Sequence, residues 1–254
     1  MSENMTEKEF LKHYNMRDYD PVSLTVDITL LTIKDGELAI LLVKRKDHPF
    51  KNKWALPGGF VLPDETPDQA VRRELEEETS VIVEKSYVEQ LKTYAGPNRD
   101  PRGYVVSVAY VALAPISDEP VAGDDAKEAV FVPVKEALGR DLAFDHHQII
   151  TDGLARVRDK VEYAPIAPHF LVDKEFTMGE LRDVYEIIWD KEISPGNFRR
   201  KVLSVEDFIH PTGTYRKSQI RGGRNSELYA MGDAKDDPFG ERPNPTSSPV
   251  WGTH

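Results

Sequence analysis

The sequence predicts an α+β protein with two domains, and three observations support this fold class. Residues 22–33 and 104–113 are rich in β-branched and apolar residues, as expected of strands. Helical patterns with capping residues separate these runs, which is typical of helices packed on a sheet. Beyond Pro165 and Pro168 the pattern changes to two short helices and a β-rich segment. We therefore expect a larger N-terminal and a smaller C-terminal domain.

Composition excludes several classes of protein. The chain has 254 residues, no cysteine and a net charge of −11. Without cysteine there are no disulfides, no thiolate metal sites and no cysteine nucleophile. No apolar run is long enough for a transmembrane helix. The acidic start, MSENMTEKEF, is unlike a signal peptide, so we expect a cytoplasmic protein without membrane contact.

We expect four segments along the chain. Residues 1–20 form a polar leader, residues 21–164 the first domain and residues 165–232 the second domain. Residues 233–254 are rich in proline, serine, asparagine and aspartate, which predicts a disordered tail.

Two helices and a hairpin are predicted from local patterns in the first domain. Asp35-Gly36 between two apolar runs indicates a hairpin turn. Thr66 with Gln69 forms a capping box, and Pro67 follows at the first helical position, so we expect a helix over 67–79. A second helix is predicted over 146–160, with Asp145 as its N-cap.

The first of these helices carries a cluster of carboxylates. Glu74, Glu77 and Glu78 share one helix face, where their charges repel unless a cation neutralises them. Mg²⁺ or Mn²⁺ suits such a site, because both prefer oxygen ligands and bridge to phosphates. Arg73 and Glu65 are placed to orient the cluster. The alternative interpretation is a solvated acidic helix face.

This stretch resembles the Nudix box in eight of its nine defining positions. The matching residues are Gly59, Glu65, Arg73, Glu74, Leu75, Glu77, Glu78 and Val81, whereas Ser80 stands where the family has glycine. The resemblance implies an α/β/α sandwich with a mixed sheet. It also implies Arg73, Glu77 and Glu78 as catalytic residues if the chain hydrolyses pyrophosphates. A base on a separate loop stays open among Glu119, Asp124, Asp125 and Glu128.

The flanking segments indicate a ligand. Residues 99–103, RDPRG, resemble the Nudix branch that handles ADP-ribose. Arg99 and Arg102 suit pyrophosphate oxygens, or alternatively pair with Asp100 and nearby acids in a loop. Trp54 and Phe60 either stack on an adenine or belong to the core. The predicted ligand-binding residues are Arg45, Trp54, Gly59, Phe60, Arg99 and Arg102.

The second domain has the pattern of a winged helix-turn-helix. A capped helix over 177–189 precedes a second helix that starts at Ser194-Pro195, and Gly222-Gly223 indicates a hairpin wing. We expect Phe198, Val202 and Leu203 to face inward. Residues 197–231 hold seven basic and three acidic residues, a net charge of +4. The predicted DNA contacts are Asn197, Arg199, Arg200, Lys201, Arg216, Lys217, Arg221 and Arg224. The alternative is a basic helical domain used for dimerisation.

Residues 24–231 as a whole resemble the NrtR family, the Nudix-related transcriptional regulators of NAD metabolism. The segments that carry this resemblance are LAFDH at 142–146, FTxxEL at 176–181 and NFRR at 197–200. It implies a homodimeric repressor of NAD biosynthesis or salvage genes that binds operator DNA and is released by ADP-ribose or a related NAD metabolite. Two alternatives stay open: an ADP-ribose pyrophosphatase with an accessory domain, and a bifunctional protein.

Overall fold

A computed structural model describes residues 5–79, 87–115, 120–123, 126–218 and 223–232. The helices are α1 Glu7–His13, α2 Pro67–Thr79, α3 Val134–Gly139, α4 His146–Lys160, α5 Met178–Trp189 and α6 Pro195–Val202. The strands are β1 Ser23–Lys34, β2 Glu37–Arg45, β3 Trp54–Ala55, β4 Tyr87–Tyr94, β5 Val105–Leu113, β6 Ala126–Pro133, β7 Glu175–Thr177, β8 Ile209–Arg216 and β9 Ser226–Met231.

The first six strands form one mixed sheet. Its order is β3-β2-β1-β5-β4, and β6 pairs with β2. Strands β1 and β5 run parallel, whereas the pairs β1–β2, β2–β6 and β4–β5 are antiparallel. Because β1 is central, Ile28, Leu30 and Leu31 are fully buried.

Helices cover both faces of this sheet. On one face, Ala70, Val71 and Leu75 of α2 pack among side chains of β1 and β5. On the other face, Ile149 and Leu154 of α4 belong to a second apolar cluster. The predicted α/β/α sandwich with a mixed sheet is thus confirmed.

Local capping explains where α2 begins. The backbone N–H of Thr66 donates to the Gln69 side chain at 2.8 Å, and the Gln69 N–H donates to the Thr66 hydroxyl at 3.3 Å. The helix spans 67–79, as the capping box predicts. The adjoining residues Ser80 and Val81 lie outside the described part of the chain.

The C-terminal elements form a winged helix. Strands β7, β9 and β8 make a three-stranded sheet beside α5 and α6. Thr177 and Glu180 form the predicted capping box of α5. The predicted inward positions Phe198 and Val202 are fully buried.

One detail of the prediction for α6, the inward position of Leu203, is corrected. Leu203 is 43% exposed, because α6 ends at Val202 and Leu203 turns away from the core. Ser194 occupies the N-cap position, but its side chain forms no capping hydrogen bond.

The N-terminal segment contributes little to this core. Between residues 5 and 22 the short helix α1 has no buried residue. The predicted disordered tail, 233–254, lies outside the described residues. Within the described ranges, no helix is both long and apolar enough to span a membrane.

Candidate functional site

A polar pocket of about 290 Å³ opens at one end of the mixed sheet. Strand β1, the end of β2, the loop after β3, the loop before β5 and the start of α4 contribute to its wall. Side chains of both charges line it, together with two aromatic rings. Among the lining residues are Asp27, Arg45, Gly59, Phe60, Glu78, Arg99, Asp100, Arg102, Phe144 and His146.

The carboxylates of α2 are arranged around Arg73. Its guanidinium donates to Glu65 at 2.6 Å, to Glu74 at 2.7 Å and to Glu77 at 2.9 Å. It also reaches the Phe60 carbonyl at 3.0 Å. Arg73 therefore provides the countercharge that the sequence pattern demands, and it ties α2 to the loop before it.

Glu74 packs directly beneath the first residue of the Nudix box. A Cβ on Gly59 would lie 2.3 Å from the Glu74 carboxylate, so any larger residue there would displace the Glu74 side chain. Burial raises the pKa of the Glu74 carboxyl, although the Arg73 guanidinium opposes that effect.

Glu78 reaches the pocket itself. Its carboxylate accepts the backbone N–H of Gly58 at 2.9 Å and lines the pocket wall. Glu77 remains exposed beyond Arg73. The three predicted metal ligands therefore differ in their surroundings.

A divalent cation does not fit the carboxylates as they lie. Oxygen donors have the right chemistry. However, among the described residues no three acidic or histidine side chains come close enough to hold a metal ion. Arg73 holds oxygens of Glu74 and Glu77 that a metal would need.

The candidate loop bases receive no support from the described residues. Glu128 forms an ion pair with Lys44 at 2.8 Å and is half-exposed. Glu119, Asp124 and Asp125 lie outside the described residues.

Two arginines and two aromatic rings form the basic side of the pocket. The Arg102 guanidinium carbon lies 5.0 Å from the Phe60 ring centroid and 5.7 Å from that of Phe144. That of Arg45 lies 5.0 Å from the Phe144 ring. Burial and the neighbouring charge of Arg102 lower the pKa of Arg45. A bound anion would relieve this repulsion.

The loop arginines also pair with acids. Arg99 donates to Asp145 at 3.0 and 2.7 Å, and Arg102 donates to Asp100 at 3.0 and 2.7 Å. The Arg102–Asp100 pairing in the loop is therefore present. Both arginines nevertheless line the pocket, so this pairing and a ligand-binding role are compatible.

A buried hydrogen-bonded group forms the floor of the pocket. The backbone N–H of Leu56 donates to His146 Nδ1 at 2.8 Å, so the ring proton lies on Nε2, 3.3 Å from Asp27. Ser107 also donates to Asp27. Burial opposes ionisation of Asp27, but His146, Ser107 and the charge of Arg99 outweigh burial and lower its pKa.

No sequence motif predicted this floor. Asp27 and His146 lie on β1 and α4, far apart in the chain, and no motif joins them. One available indication was an aspartate between Val26 and Ile28 in an apolar strand. A charge in such a strand needs a buried partner.

The structure does not bring Trp54 to this pocket. Its ring lies 4.5 Å from the Arg140 guanidinium carbon and 5.5 Å from Lys44 Nζ. It packs against the apolar cluster of α4, whereas Ala55 belongs to a different cluster. Neighbouring side chains of a strand face opposite ways, and Trp54 faces away from the pocket.

The second site is the surface of α6. Asn197 and Arg200 are exposed, and Arg200 donates to the Asn197 side chain at 3.3 Å. Arg199 instead turns toward β9, where it donates to Glu227 at 3.1 Å and lies 5.5 Å from the Tyr229 ring. Lys201 is half-buried in the last turn.

The wing places the remaining basic residues. Strands β8 and β9 pair antiparallel from Arg216–Ser226 onward, as expected of a hairpin. Lys217 and Arg224 are exposed at its base, whereas Arg216 bonds to Glu180 of α5. Arg221 and Gly222 lie outside the described residues.

Comparison with known families separates the two halves of the chain. A family model for the NUDIX domain matches residues 23–153. A model for the NrtR DNA-binding winged helix domain matches residues 168–231.

Individual proteins agree with this division. The "ADPR responsive transcriptional repressor NtrR" of Acinetobacter baylyi is 35% identical over 226 residues, 88% of each chain. An "ADP-ribose pyrophosphatase" of Methanocaldococcus jannaschii is 43% identical over 151 residues, 59% of this chain and 83% of the relative.

Solved structures of Shewanella oneidensis NrtR are also similar. NrtR complexed with a 27mer DNA is 36% identical with a TM-score of 0.67, covering 82% of this chain and 93% of that one. Its NUDIX domain complexed with ADP ribose is 39% identical with a TM-score of 0.56, covering 60% and 99%. The chain therefore belongs to the NrtR family, in which a Nudix domain is joined to a DNA-binding winged helix.

Proposed function

We propose that this chain is a transcriptional repressor that binds operator DNA through its winged helix and releases it when ADP-ribose occupies the Nudix pocket. The proposed targets are genes of NAD biosynthesis or salvage. Recognition by winged-helix proteins commonly uses two-fold symmetric sites, so the proposed form is a homodimer. A DNA-binding regulator acts where the chromosome lies, which supports a cytoplasmic location.

The proposed division of labour follows the predicted boundaries. Residues 21–164 sense the ligand, residues 165–232 bind DNA, and residues 1–20 form a leader. The disorder of the tail, residues 233–254, stays a prediction.

The observation that carries this proposal is the pair of arginines over aromatic rings. Arg45 and Arg102 share the ring of Phe144, and burial and repulsion lower the pKa of Arg45. Arginine pairs bind phosphate oxygens with directed hydrogen bonds, and the aromatic rings suit a nucleobase. We assign the pyrophosphate to Arg45, Arg99 and Arg102, with Gly59 and Phe60 beside it.

The test measures each binding event separately. Isothermal titration should show ADP-ribose binding to the free protein, and fluorescence anisotropy should show operator affinity about 5–150-fold weaker with ADP-ribose present. Ribose 5-phosphate, which lacks the pyrophosphate, serves as the control ligand. A titration without ADP-ribose binding would contradict the proposal.

The DNA-binding role of α6 has its own test. Replacing Arg199 and Arg200 with alanine should abolish specific operator binding, because loss of a base-reading arginine costs about 1–3 kcal/mol and Arg199 also holds α6 to Glu227 of β9. The matched control replaces Arg17 and Arg72, two exposed arginines outside residues 165–232. Normal operator binding by the α6 variant would show that another element reads the DNA.

A second candidate function is hydrolysis of ADP-ribose. The observation that favours it is the complete set of Glu65, Arg73, Glu74, Glu77 and Glu78 in the Nudix box. Mg²⁺ or Mn²⁺ at Glu74, Glu77 and Glu78 remains a prediction, because Arg73 holds two of these carboxylates.

We expect turnover to be slow or absent. Product release from ADP-ribose with Mg²⁺ or Mn²⁺ is compared among the parent, Glu77→Gln and Glu78→Gln. Parent turnover in the enzyme range of about 1–1,000 per second, lost in both variants, would establish a hydrolase. It would leave the bifunctional interpretation open.

A further inference from the structure

Helix α4 reaches from the ligand pocket to the winged helix. It contains 15 residues, so it is about 22 Å long. Its first residue, His146, lines the pocket. Its last turn contacts α5, the first helix of the helix-turn-helix.

The pocket end of α4 is held by a loop arginine. Arg99 donates two hydrogen bonds to Asp145, the N-cap residue of α4, at 3.0 and 2.7 Å. The Asp145 side chain therefore binds Arg99 and makes no capping bond to its own helix. Because Arg99 also lines the pocket, a phosphate that binds it competes with Asp145. Ligand binding thus acts directly on the start of α4.

The middle of α4 packs tightly on the sheet. Ile149, Ile150 and Leu154 are buried on its inner face. A Cβ on Gly153 would lie 3.1 Å from the Thr29 side chain of β1, so helix and strand are in close contact. Close-packed interiors transmit small displacements instead of absorbing them.

The far end of α4 is bonded to the end of α5. The Trp189 indole N–H donates to the Arg158 carbonyl at 3.1 Å, and Arg158 Nε donates to the Ile188 carbonyl at 3.1 Å. The Tyr185 hydroxyl donates to the Val161 carbonyl at 3.0 Å. Three hydrogen bonds therefore fix the position of α5 relative to α4.

The recognition helix follows α5. The ring of Tyr185 meets that of Phe198 on α6 with 5.3 Å between centroids. A shift of α5 consequently moves α6, whose exposed face carries Arg200.

We propose that α4 transmits the effect of ligand binding to the DNA-binding helices. The Arg99–Asp145 pair is its ligand-sensitive contact, and the bonds that join Arg158 to Ile188 and Trp189 are its link to α5. This inference rests on the proposed function, because it assumes that ADP-ribose weakens operator binding. A ligand shifts an equilibrium only through different affinities for its two states. At the DNA-binding side, the bonds that join Arg158 to Ile188 and Trp189 differ between the DNA-bound and the released state of the protein.

The experiment cuts the link without touching either binding surface. The double variant Arg158→Met, Trp189→Phe removes two of the three hydrogen bonds and keeps apolar bulk at both positions. The matched control is Arg156→Met on the same helix, because Arg156 donates to Glu89 and to the Leu91 carbonyl, both on β4. For each protein, operator affinity and ADP-ribose affinity are measured separately and then together.

We expect the double variant to bind operator and ADP-ribose within about twofold of the parent. The factor by which ADP-ribose weakens operator binding should fall from the usual range of about 5–150 to below about two. Arg156→Met should keep the parental factor. An unchanged factor in the double variant, or an equal loss in Arg156→Met, overturns the inference. If the parent binds no ADP-ribose, the proposed function fails, and the inference fails with it.

Hydrogen exchange on the unmodified protein gives an independent reading. ADP-ribose should change amide protection at residues 157–161 and 185–190 as well as around the pocket. A change confined to the pocket would exclude α4 as the link, even if the double variant failed to fold.

Discussion

Phe198 anchors the recognition helix, and its replacement tests how α6 is held. The side chain is fully buried, and its ring meets Tyr185 edge-on at 65°. Truncation of a buried phenylalanine to alanine costs about 3–5 kcal/mol, because apolar contacts are lost and a cavity remains. The edge-to-face contact accounts for about 0.5–1.5 kcal/mol of that loss. We therefore expect Phe198→Ala to lose about 3–5 kcal/mol of unfolding free energy.

Urea unfolding followed by tryptophan fluorescence measures this loss. Trp189 is a local probe, because its ring lies 5.1 Å from that of Tyr185. Replacing Trp54 and Trp251 with phenylalanine isolates its fluorescence. Phe198→Leu is the matched control: it retains most of the apolar volume, so it should lose clearly less stability and keep operator binding. A loss below about 1 kcal/mol in Phe198→Ala would refute the packing argument.

Three further predictions concern the first domain. Lys160→Met should destabilise the protein by about 3–5 kcal/mol, because Glu89 would stay buried without the Lys160 amine that lies 2.7 Å from it. Adding Glu89→Leu should recover much of this loss, as measured by urea unfolding. The pKa of Asp27 is lower in the folded protein than in the unfolded chain, so its ionised form stabilises the fold. This stabilisation is complete above the ordinary carboxyl pKa of about 3.9, and it is lost as the pH falls through the lower pKa of the folded state. The stability gap between Asp27→Asn and the parent should therefore narrow below about pH 4, and a constant gap across a pH series of unfolding curves would contradict this. Gly59→Ala should lower the free energy of unfolding by about 1–3 kcal/mol and weaken ADP-ribose binding in titration, because the new Cβ displaces Glu74. Parental stability together with parental ADP-ribose affinity would contradict the close contact.

The elements with local determinants were predicted accurately. The bounds of α2 follow from Thr66, Pro67 and Gln69, which satisfy the first backbone donors within one helical turn. The hairpin at Asp35 follows from the same kind of local chemistry. Strand β4 was not predicted, because its register shifts between Gln90 and Lys92 and breaks the alternation along the strand.

The site was predicted where a motif fixes spacing and missed where the fold joins distant residues. Arg102 and Phe60 were identified from their segments, and both line the pocket. Asp27 and His146 meet only because β1 and α4 pack together, which no local pattern encodes. The side on which Trp54 lies depends on how β3 pairs with β2, so residue type alone could not decide it.

The apolar core that runs from Leu31 of β1 to Tyr229 of β9 is one continuous cluster. Ile188 of α5 and Ile149 of α4 belong to it alike. A DNA-binding half tethered by a free linker could be exchanged for another during evolution without loss of folding. Here such an exchange would uncover apolar surface on both pieces, which favours aggregation. The Nudix domain and the winged helix must therefore have changed together in evolution. Chimaeras joined near residue 165 should fold only when they combine close relatives whose buried residues match.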